Sequence, residues 1–217
     1  MRWESPELPL PETQSPAAVV DAVSAPPPPL TSPGSAPEPA KRPVRVWTQD
    51  ESRFGLMTLL RRRLTLKGVK PKVVAQHEYA NSYLYGAVAP LSGESFFLEL
   101  PGLNSELFEL FLAHLSAAAP EFLNILVLDN GSFHHAAKLH VPENIRLVFT
   151  PPYTPEVNPI ERLWEDLKGR LAGLTFASLE SLSDKLGELI RNYTPEQLSS
   201  LTAYPFFVEA CNALCSM

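Results

Sequence analysis

Hydrophobic and polar residues alternate strictly in the segment that begins near Val44. Residues 44–49 read V-R-V-W-T-Q, and a period of two is typical of a β-strand that is buried on one face. Asp50 continues the set that contains the two valines, so we expect its side chain to share their face. Pleating directs the next acid, Glu51, to the opposite face.

Other short apolar runs predict the rest of a sheet. They are bounded by glycine, proline or polar residues, which is typical of strands separated by turns. The run I-L-V-L before Asp129 is apolar throughout, as expected of a central strand that is covered on both faces. The further segments predicted as strands are Lys72–His77, Asn81–Val88, Ser95–Leu100, Asn124–Leu128 and Ile145–Phe149.

Helical spacing is found in four segments. Their apolar residues recur every three or four positions, and the first has Asn104 or Ser105 available as an N-cap. The last opens with T-P-E-Q, a capping box with proline at the first helical position. The predicted helices are Asn104–Ala118, Asn158–Leu171, Leu179–Arg191 and a short helix that begins at Thr194. This order of elements predicts an α/β fold, in which helices cover both faces of a mixed sheet.

Composition divides the chain into tails and one domain. Twelve of the 23 prolines fall within residues 1–43, where extended polyproline geometry and low apolar content predict a disordered tail or linker. The 45% hydrophobic content and the length of 217 residues fit a single folded domain with a sizeable core. We place this domain at residues 44–205 and a C-terminal tail at residues 206–217.

The apolar runs are too short for a membrane span, so no membrane association is expected. The N-terminus carries early acids and prolines, unlike a secretory signal. The two cysteines, Cys211 and Cys215, lack the partners of a zinc site and are too few for a disulfide framework. Together these features favour a cytoplasmic location.

Charge leaves nucleic-acid binding open. The formal net charge is −6, whereas proteins that neutralise phosphates usually carry a basic footprint. A cluster of catalytic acids would account for part of this balance, because such acids are neutralised only when metal binds. The bases concentrate in one acid-free stretch, which fits either a solvated loop or contacts to DNA phosphates. These candidate DNA-binding residues are Arg61, Arg62, Arg63, Lys67, Lys70 and Lys72.

Three acids stand at the ends of separate predicted elements. Asp50 and Asp129 each follow a strand, and Glu161 lies at the start of a helix. Carboxylates from two strands and a helix can share a pair of divalent cations, and hard oxygen ligands suit Mg²⁺. Such ions serve phosphodiester cleavage by activating one oxygen and stabilising another. A shared site requires the two strands to be parallel neighbours, since ligands gather beyond the carboxyl ends of strands.

Simpler explanations remain for the two aspartates and for a nearby histidine. Asp129 precedes Asn-Gly and can serve its own turn, and Asp50 has Glu51 as a rival acid. His134 can contact metal or DNA, or it can pack against a neighbour at the start of a helix. The residues alone do not decide between these alternatives.

Glu161 also has a local alternative. If Asn158 is the N-cap, Glu161 is the third helical residue, where a capping-box glutamate bonds the backbone of the cap. Glu165 lies one turn later on the same face and is the rival ligand. Trp164 lies on the apolar face of this helix and is read as a core residue.

Four stretches carry a more specific pattern. They are W-T-Q-D-E-S-R-F-G, L-K-G-V-K-P, V-L-D-N-G-S-F-H and P-P-Y-T-P-E-V-N-P-I-E-R-L-W-E-D-L-K, within residues 46–170. The last combines a tyrosine between prolines, an N-P-I-E turn and a tryptophan three residues later. With these motifs the chain resembles the DDE transposases of the mariner-related bacterial insertion-sequence group.

The resemblance implies a ribonuclease H-like fold and a DDE endonuclease domain. It implies that Asp50, Asp129 and Glu161 form the catalytic triad and bind two Mg²⁺ or Mn²⁺ ions, and it decides against Glu51 and Glu165. The implied activity is metal-dependent cleavage of DNA and strand transfer during transposition of an insertion sequence.

The same resemblance implies supporting residues around the triad. Asn130 and His134 match the D-N-x-x-x-H pattern of the family, where these two positions support the site rather than bind metal. Asn158, which opens the N-P-I-E turn, is grouped with them as a site-supporting residue.

The implied partner is DNA, both as element ends and as target duplex, and a homodimer is a further expectation. Transposases of this group carry helix-turn-helix modules ahead of the catalytic domain, but the proline-rich tail has no such pattern. We therefore expect one half of a split enzyme, with a separate helix-turn-helix chain, or a catalytically silent remnant that acts in DNA binding or assembly. A nuclease acting on RNA–DNA hybrids ranks lower because of the N-P-I-E-R-L-W motif.

Overall fold

Six strands form one mixed sheet in the computed structural model, which describes residues 18–21, 42–60, 66–68, 72, 74–131, 134, 139–151 and 158–215. Their order across the sheet is β1-β4-β3-β2-β5-β6. The strands are β1 (Ala18–Asp21), β2 (Val44–Gly55), β3 (Asn81–Val88), β4 (Ser95–Leu100), β5 (Leu123–Leu128) and β6 (Ile145–Phe149). Strand β1 lies within the predicted tail and pairs in parallel with β4; most of that tail lies outside the described residues.

Strand β2 occupies the centre of the sheet and has different neighbours on its two sides. It pairs antiparallel with β3 and in parallel with β5, and β5 in turn pairs in parallel with β6. The strand that contains Asp50 and the strand that precedes Asp129 are therefore parallel neighbours. This adjacency is the one that a shared acidic site requires.

Five helices of the described residues cover both faces of the sheet, so the predicted layered arrangement is confirmed. On one face α1 packs its aromatic and leucine side chains against β2–β6, and on the other face α2, α3, α4 and α5 share the coverage. The helices are α1 (Ser105–Ala118), α2 (Glu161–Leu171), α3 (Leu179–Arg191), α4 (Pro195–Thr202) and α5 (Pro205–Cys215). Within the described ranges, no helix is long and apolar enough to cross a membrane.

Two helix starts follow their sequence signals. The side chain of Asn104 accepts a hydrogen bond from the backbone N–H of Leu107 over 2.8 Å and caps α1. Helix α4 begins with the predicted capping box between Thr194 and Gln197. Each cap satisfies backbone donors that have no partner within the helix.

One predicted strand is absent. Of residues 72–77, those that the structure describes have no strand conformation, and the side chain of Val74 is exposed. Gln76 instead bonds Thr58, whose N–H donates to the Gln76 carbonyl oxygen over 3.1 Å. The side chain of Gln76 also bonds the backbone N–H and the backbone oxygen of Phe176, so this residue is held by loop contacts rather than by a strand ladder.

Helix α2 begins three residues later than predicted. Its N-cap is Ile160, and no side chain caps this end, so the capping-box explanation for Glu161 is wrong. The physical reason is that the side chain of Asn158 bonds strand β2 instead of the helix.

Helix α5 lies where a C-terminal tail was predicted. Its Phe207 and Cys211 are buried against Val46 of β2, four residues apart as expected for one helical face. This helix therefore covers the strand that leads to Asp50.

Candidate active site

Asp129 directly follows the last residue of β5, whereas Asp50 lies within β2, which continues to Gly55. The prediction that Asp50 follows a strand is therefore wrong, because pairing with β3 extends β2 past this residue. The parallel register of β2 and β5 ends at the pair Thr48 and Val127, and continuing it by two residues brings the two aspartates level. Val46 and Val127 both pack toward α5, and each is an even number of residues from the aspartate of its strand. Because residues two apart share a face, Asp50 belongs to the side covered by α2–α5, whereas the Asp129 carboxylate contacts His134, whose ring packs on Phe108 of α1.

Asp50 is contacted by a tryptophan from the facing helix. The indole Nε1 of Trp164 donates a hydrogen bond to Oδ2 of Asp50 over 2.9 Å. Burial, followed by the negative charges of Glu51 and Glu161, raises the pKa of Asp50 to about 8, although the hydrogen bond from Trp164 acts against this rise. The contribution of Glu161 places the first residue of α2 within electrostatic range of Asp50.

Asn158 holds the start of α2 against β2, beside Asp50. Its Oδ1 accepts a hydrogen bond from the hydroxyl of Thr48, and its Nδ2 donates to the backbone oxygen of Gln49 over 2.9 Å. All three residues are buried. Glu161 follows as the first helical residue and is exposed, so the helix start presents a carboxylate to solvent near the strand ends.

The carboxylate of Asp129 is turned onto its own loop. Its Oδ1 accepts a hydrogen bond from the N–H of Gly131 over 2.9 Å and lies 3.2 Å from Nδ1 of His134. Among the described residues, no group of three His, Cys, Asp or Glu side chains is arranged to hold a metal ion. The charge of Glu161 thus acts on Asp50, whereas Asp129 is level with Asp50 but keeps its carboxylate in the turn.

His134 links Asp129 to Glu51 on the other face of β2. Its Nε2 lies 3.3 Å from Oε1 of Glu51, whose side chain is only 5% exposed, and its ring packs on Phe108 with centroids 4.5 Å apart. Burial alone would lower the pKa of His134, but the hydrogen bond and charge of Glu51, aided by Asp129, raise it. Glu51 therefore faces away from Asp50, as the pleat predicts, and its carboxylate is a partner of the His134 ring.

The remaining candidates are Asn130 and the basic residues between β2 and β3. Nδ2 of Asn130 donates a hydrogen bond to the backbone oxygen of Thr150, which ties the end of β5 to the end of β6. Lys67 and Lys72 are exposed in the connection between β2 and β3. The other candidate DNA-binding residues lie outside the described residues; they are Arg61, Arg62, Arg63 and Lys70.

Two residues join the site without having been assigned to it from the sequence. Trp164 is buried, as predicted for a core residue, but its N–H is used by Asp50. Gly86 is the direct partner of Asp50 in the β2–β3 ladder, and a Cβ atom there would lie 2.5 Å from Cη2 of Trp164. The sequence signal that could have identified Gly86 is a glycine inside a predicted strand, because such a glycine often marks a place where another group packs closely against the backbone.

This mixed sheet with helices on both faces, whose parallel strands β2 and β5 bring Asp50 and Asp129 level, is a ribonuclease H-like fold. A family model described as DDE superfamily endonuclease matches residues 45–183, more than half of the chain. The chain belongs to the DDE superfamily endonucleases, and the resemblance to DDE transposases is confirmed.

Solved structures of a transposase share this fold. The Mos1 transposase paired-end complex with left transposon end has a TM-score of 0.59 and 20% identity, covering 79% of this chain and 55% of that chain. The Mos1 mariner paired-end complex with Mn has a TM-score of 0.60 and 20% identity, covering 80% and 56%. At this level of identity the likeness concerns the fold.

A curated relative is similar in sequence. The uncharacterized protein y4pE/y4sA of Sinorhizobium fredii is 36% identical over 88 residues, which are 40% of this chain and 65% of that protein. The chain therefore spans 65% of this relative and a little over half of the Mos1 chains that it matches.

Proposed function

We propose that this chain is the catalytic domain of a transposase, which cleaves DNA phosphodiesters with divalent metal and transfers the strand during transposition of an insertion sequence. The observation that carries the proposal concerns the three acids: the register of β2 and β5 brings Asp129 level with Asp50, and the charge of Glu161 acts on Asp50. Family membership supports the same chemistry.

The residues fit a pair of Mg²⁺ or Mn²⁺ ions. The donor set is carboxylate oxygen, which hard divalent cations prefer. The pKa of Asp50, raised to about 8 by burial and then by Glu51 and Glu161, would fall when a cation binds beside its carboxylate. Asp50, Asp129 and Glu161 would hold the ions, which supply activation of an oxygen nucleophile and stabilisation of the leaving oxygen. For Asp129 this role requires its carboxylate to turn away from Gly131.

The chain's own residues prepare this site. Asn158 joins the helix that bears Glu161 to the strand that bears Asp50, and Asn130 joins the ends of β5 and β6. His134 contacts Asp129 through both its backbone oxygen and its carboxylate. We assign these three residues the task of keeping the acids in place while DNA binds.

We assign DNA contacts to the basic stretch between β2 and β3. Exposed lysines at Lys67 and Lys72 can contact phosphates, which positions DNA without reading its sequence. Recognition of element ends is assigned to a separate helix-turn-helix chain, and catalysis at paired ends to a homodimer acting in the cytoplasm. The Mos1 complexes with transposon ends support DNA as the partner.

Replacement of single acids tests this function. We expect Asp129→Asn and Glu161→Gln each to abolish Mg²⁺-dependent nicking of a duplex that carries the element end. The matched control is Glu165→Gln, since Glu165 is also an exposed glutamate one turn along α2 and should be dispensable. Undiminished nicking by the Asp129→Asn protein would remove this residue from the mechanism.

Two further measurements separate the proposal from its rivals. A silent remnant would show neither nicking nor calorimetric binding of Mn²⁺ that depends on Asp50. An enzyme acting on RNA would cut an RNA–DNA hybrid better than a DNA duplex. The proposal predicts Mn²⁺ binding and a preference for DNA.

A further inference from the structure

We propose that Trp164 and Gly86 are positioning residues that orient the Asp50 carboxylate for metal binding, a role that rests on the function proposed above. A carboxylate rotates readily about its terminal bond, and it offers two oxygens to any partner. The indole N–H of Trp164 engages Oδ2 over 2.9 Å. This bond fixes the rotation of the group and so decides how its oxygens face a cation.

The indole of Trp164 has little freedom to move. It lies in a slot with three walls formed by Phe54, Gly86 and Phe97, which we call the indole slot. The two phenylalanines contact it edge-on, with ring centroids 6.4 Å and 6.2 Å away and interplanar angles of 73° and 68°. Aromatic pairs in this geometry are favourable, so the slot determines where the N–H points.

The side of the indole slot at position 86 has room only for glycine. A Cβ atom at this position would lie 2.5 Å from Cη2 of Trp164 and 2.9 Å from Cε1 of Phe97, closer than real Cβ contacts. Any other residue would push the indole away from the sheet. Since Gly86 pairs directly with Asp50, the ring crosses the ladder at the position of the acid.

The same hydrogen bond sets the spacing between two of the three acids. Trp164 follows Glu161 by three residues on α2 and so lies one turn further along the helix. Its contact with Asp50 therefore joins the strand that bears the first acid to the helix that bears the third. The indole acts as a spacer between them.

The hydrogen bond itself can be tested without metal. In the ¹⁵N-labelled full chain, which has three tryptophans, Trp164→Phe and Trp47→Phe assign the indole N–H resonances. Asp50→Ala should shift the Trp164 resonance and leave that of Trp47, whose indole donates to Asn124 over 2.9 Å. An unmoved Trp164 resonance overturns the proposal.

The positioning role is tested by Mn²⁺ affinity, measured calorimetrically on the full chain. Trp164→Phe keeps an aromatic ring but loses the N–H, and Gly86→Ala keeps the indole but fills its slot. We expect each to weaken Mn²⁺ binding by about tenfold. The controls are Trp47→Phe and Gly102→Ala, where a Cβ atom would meet only a side-chain atom of Leu107 at 3.7 Å, and both should bind as the wild type does.

The outcomes are distinct. Wild-type affinity in folded Trp164→Phe and Gly86→Ala proteins overturns the positioning role. If neither variant folds, the wild-type indole resonance decides: it should shift when Mg²⁺ is added, and the absence of a shift overturns the role. A wild-type chain that binds no Mn²⁺ overturns the proposed function and the positioning role together, whereas Mn²⁺ binding that depends on Asp50 but not on Trp164 overturns this inference alone.

Discussion

At the scale of single residues, the site is defined by acids whose charges act on one another. The pKa of Asp50 is raised to about 8 by burial, Glu51 and Glu161, so this acid is largely protonated at neutral pH until a cation is bound nearby. For His134, in contrast, nearby acids stabilise the charged form of the side chain. Nε2 lies beside Glu51 and Nδ1 lies beside Asp129. The neighbouring acids Asp50 and Glu51 therefore have separate tasks.

Replacement of Glu51 by Gln tests the assigned partner of His134. The change removes the negative charge that faces Nε2 and keeps an oxygen of similar size. We expect the pKa of His134 to fall, because burial is then opposed mainly by Asp129. A chemical-shift titration of the His134 ring in the metal-free protein measures this. Glu165→Gln is the control, and a pKa that stays raised in Glu51→Gln would contradict the assignment.

At the scale of elements, strand β2 and helix α2 are joined by Asn158 rather than by their own capping signals. Its amide bonds the hydroxyl of Thr48 and the carbonyl of Gln49 in the interior. In contrast, Asn104 caps α1 locally at the surface. Both asparagines precede a predicted helix in the sequence, but Asn158 bonds a distant strand whereas Asn104 bonds its own helix.

We expect Asn158→Ala to lower the free energy of unfolding by about 2–4 kcal/mol, because two buried groups on β2 lose their partners. Asn104→Ala, which removes an exposed cap, should cost about 1 kcal/mol. Urea unfolding of both variants provides the comparison. Equal losses would mean that Asn158 acts as an ordinary cap.

The elements also show what could be predicted from sequence. Periodicity and capping predicted β3, β4, β6 and α3 with the observed bounds, because their patterns are local. The start of α2 could not be predicted in this way, since the partners of Asn158 are about 110 residues away. Residues 72–77 read as a strand, but Gln76 bonds Thr58 and Phe176 instead of a sheet strand. Helix α5 was missed although Phe207 and Cys211 have helical spacing.

The candidate site was predictable only in part. The position of Asp50 follows from the alternation along β2, and the opposite orientation of Glu51 follows from the pleat. The bond between Trp164 and Asp50 depends on tertiary packing, and no local pattern distinguishes this indole from an ordinary core residue. The hydrogen bond from the Gly131 N–H to the Asp129 carboxylate corresponds to the turn that the sequence offered as the alternative to metal binding.

At the scale of the whole molecule, the site lies where the sheet meets the helical layer of α2–α5. Burial of Asp50 at this junction destabilises the metal-free protein as this acid ionises. Between 3.8, the ordinary pKa of Asp50, and its folded value of about 8, the folded chain retains a proton that the unfolded chain has released. The free energy of unfolding therefore falls as pH rises through this window.

We expect this slope to be measurable in urea unfolding with chelator present. Asp50 alone contributes at most about 1.4 kcal/mol per pH unit, and the raised pKa of His134 acts in the same direction above its ordinary range. Asp50→Asn should flatten the profile and stabilise the metal-free protein near pH 8. A profile that rises with pH, or that Asp50→Asn leaves unchanged, would contradict the assigned environment of Asp50.

The most direct test of metal binding by the three acids is anomalous diffraction at the manganese edge from crystals of the full chain grown with Mn²⁺. We expect manganese bound by oxygens of Asp50, Asp129 and Glu161, with the Asp129 carboxylate turned away from Gly131. Manganese bound elsewhere, or no anomalous density near these three acids, would contradict the account.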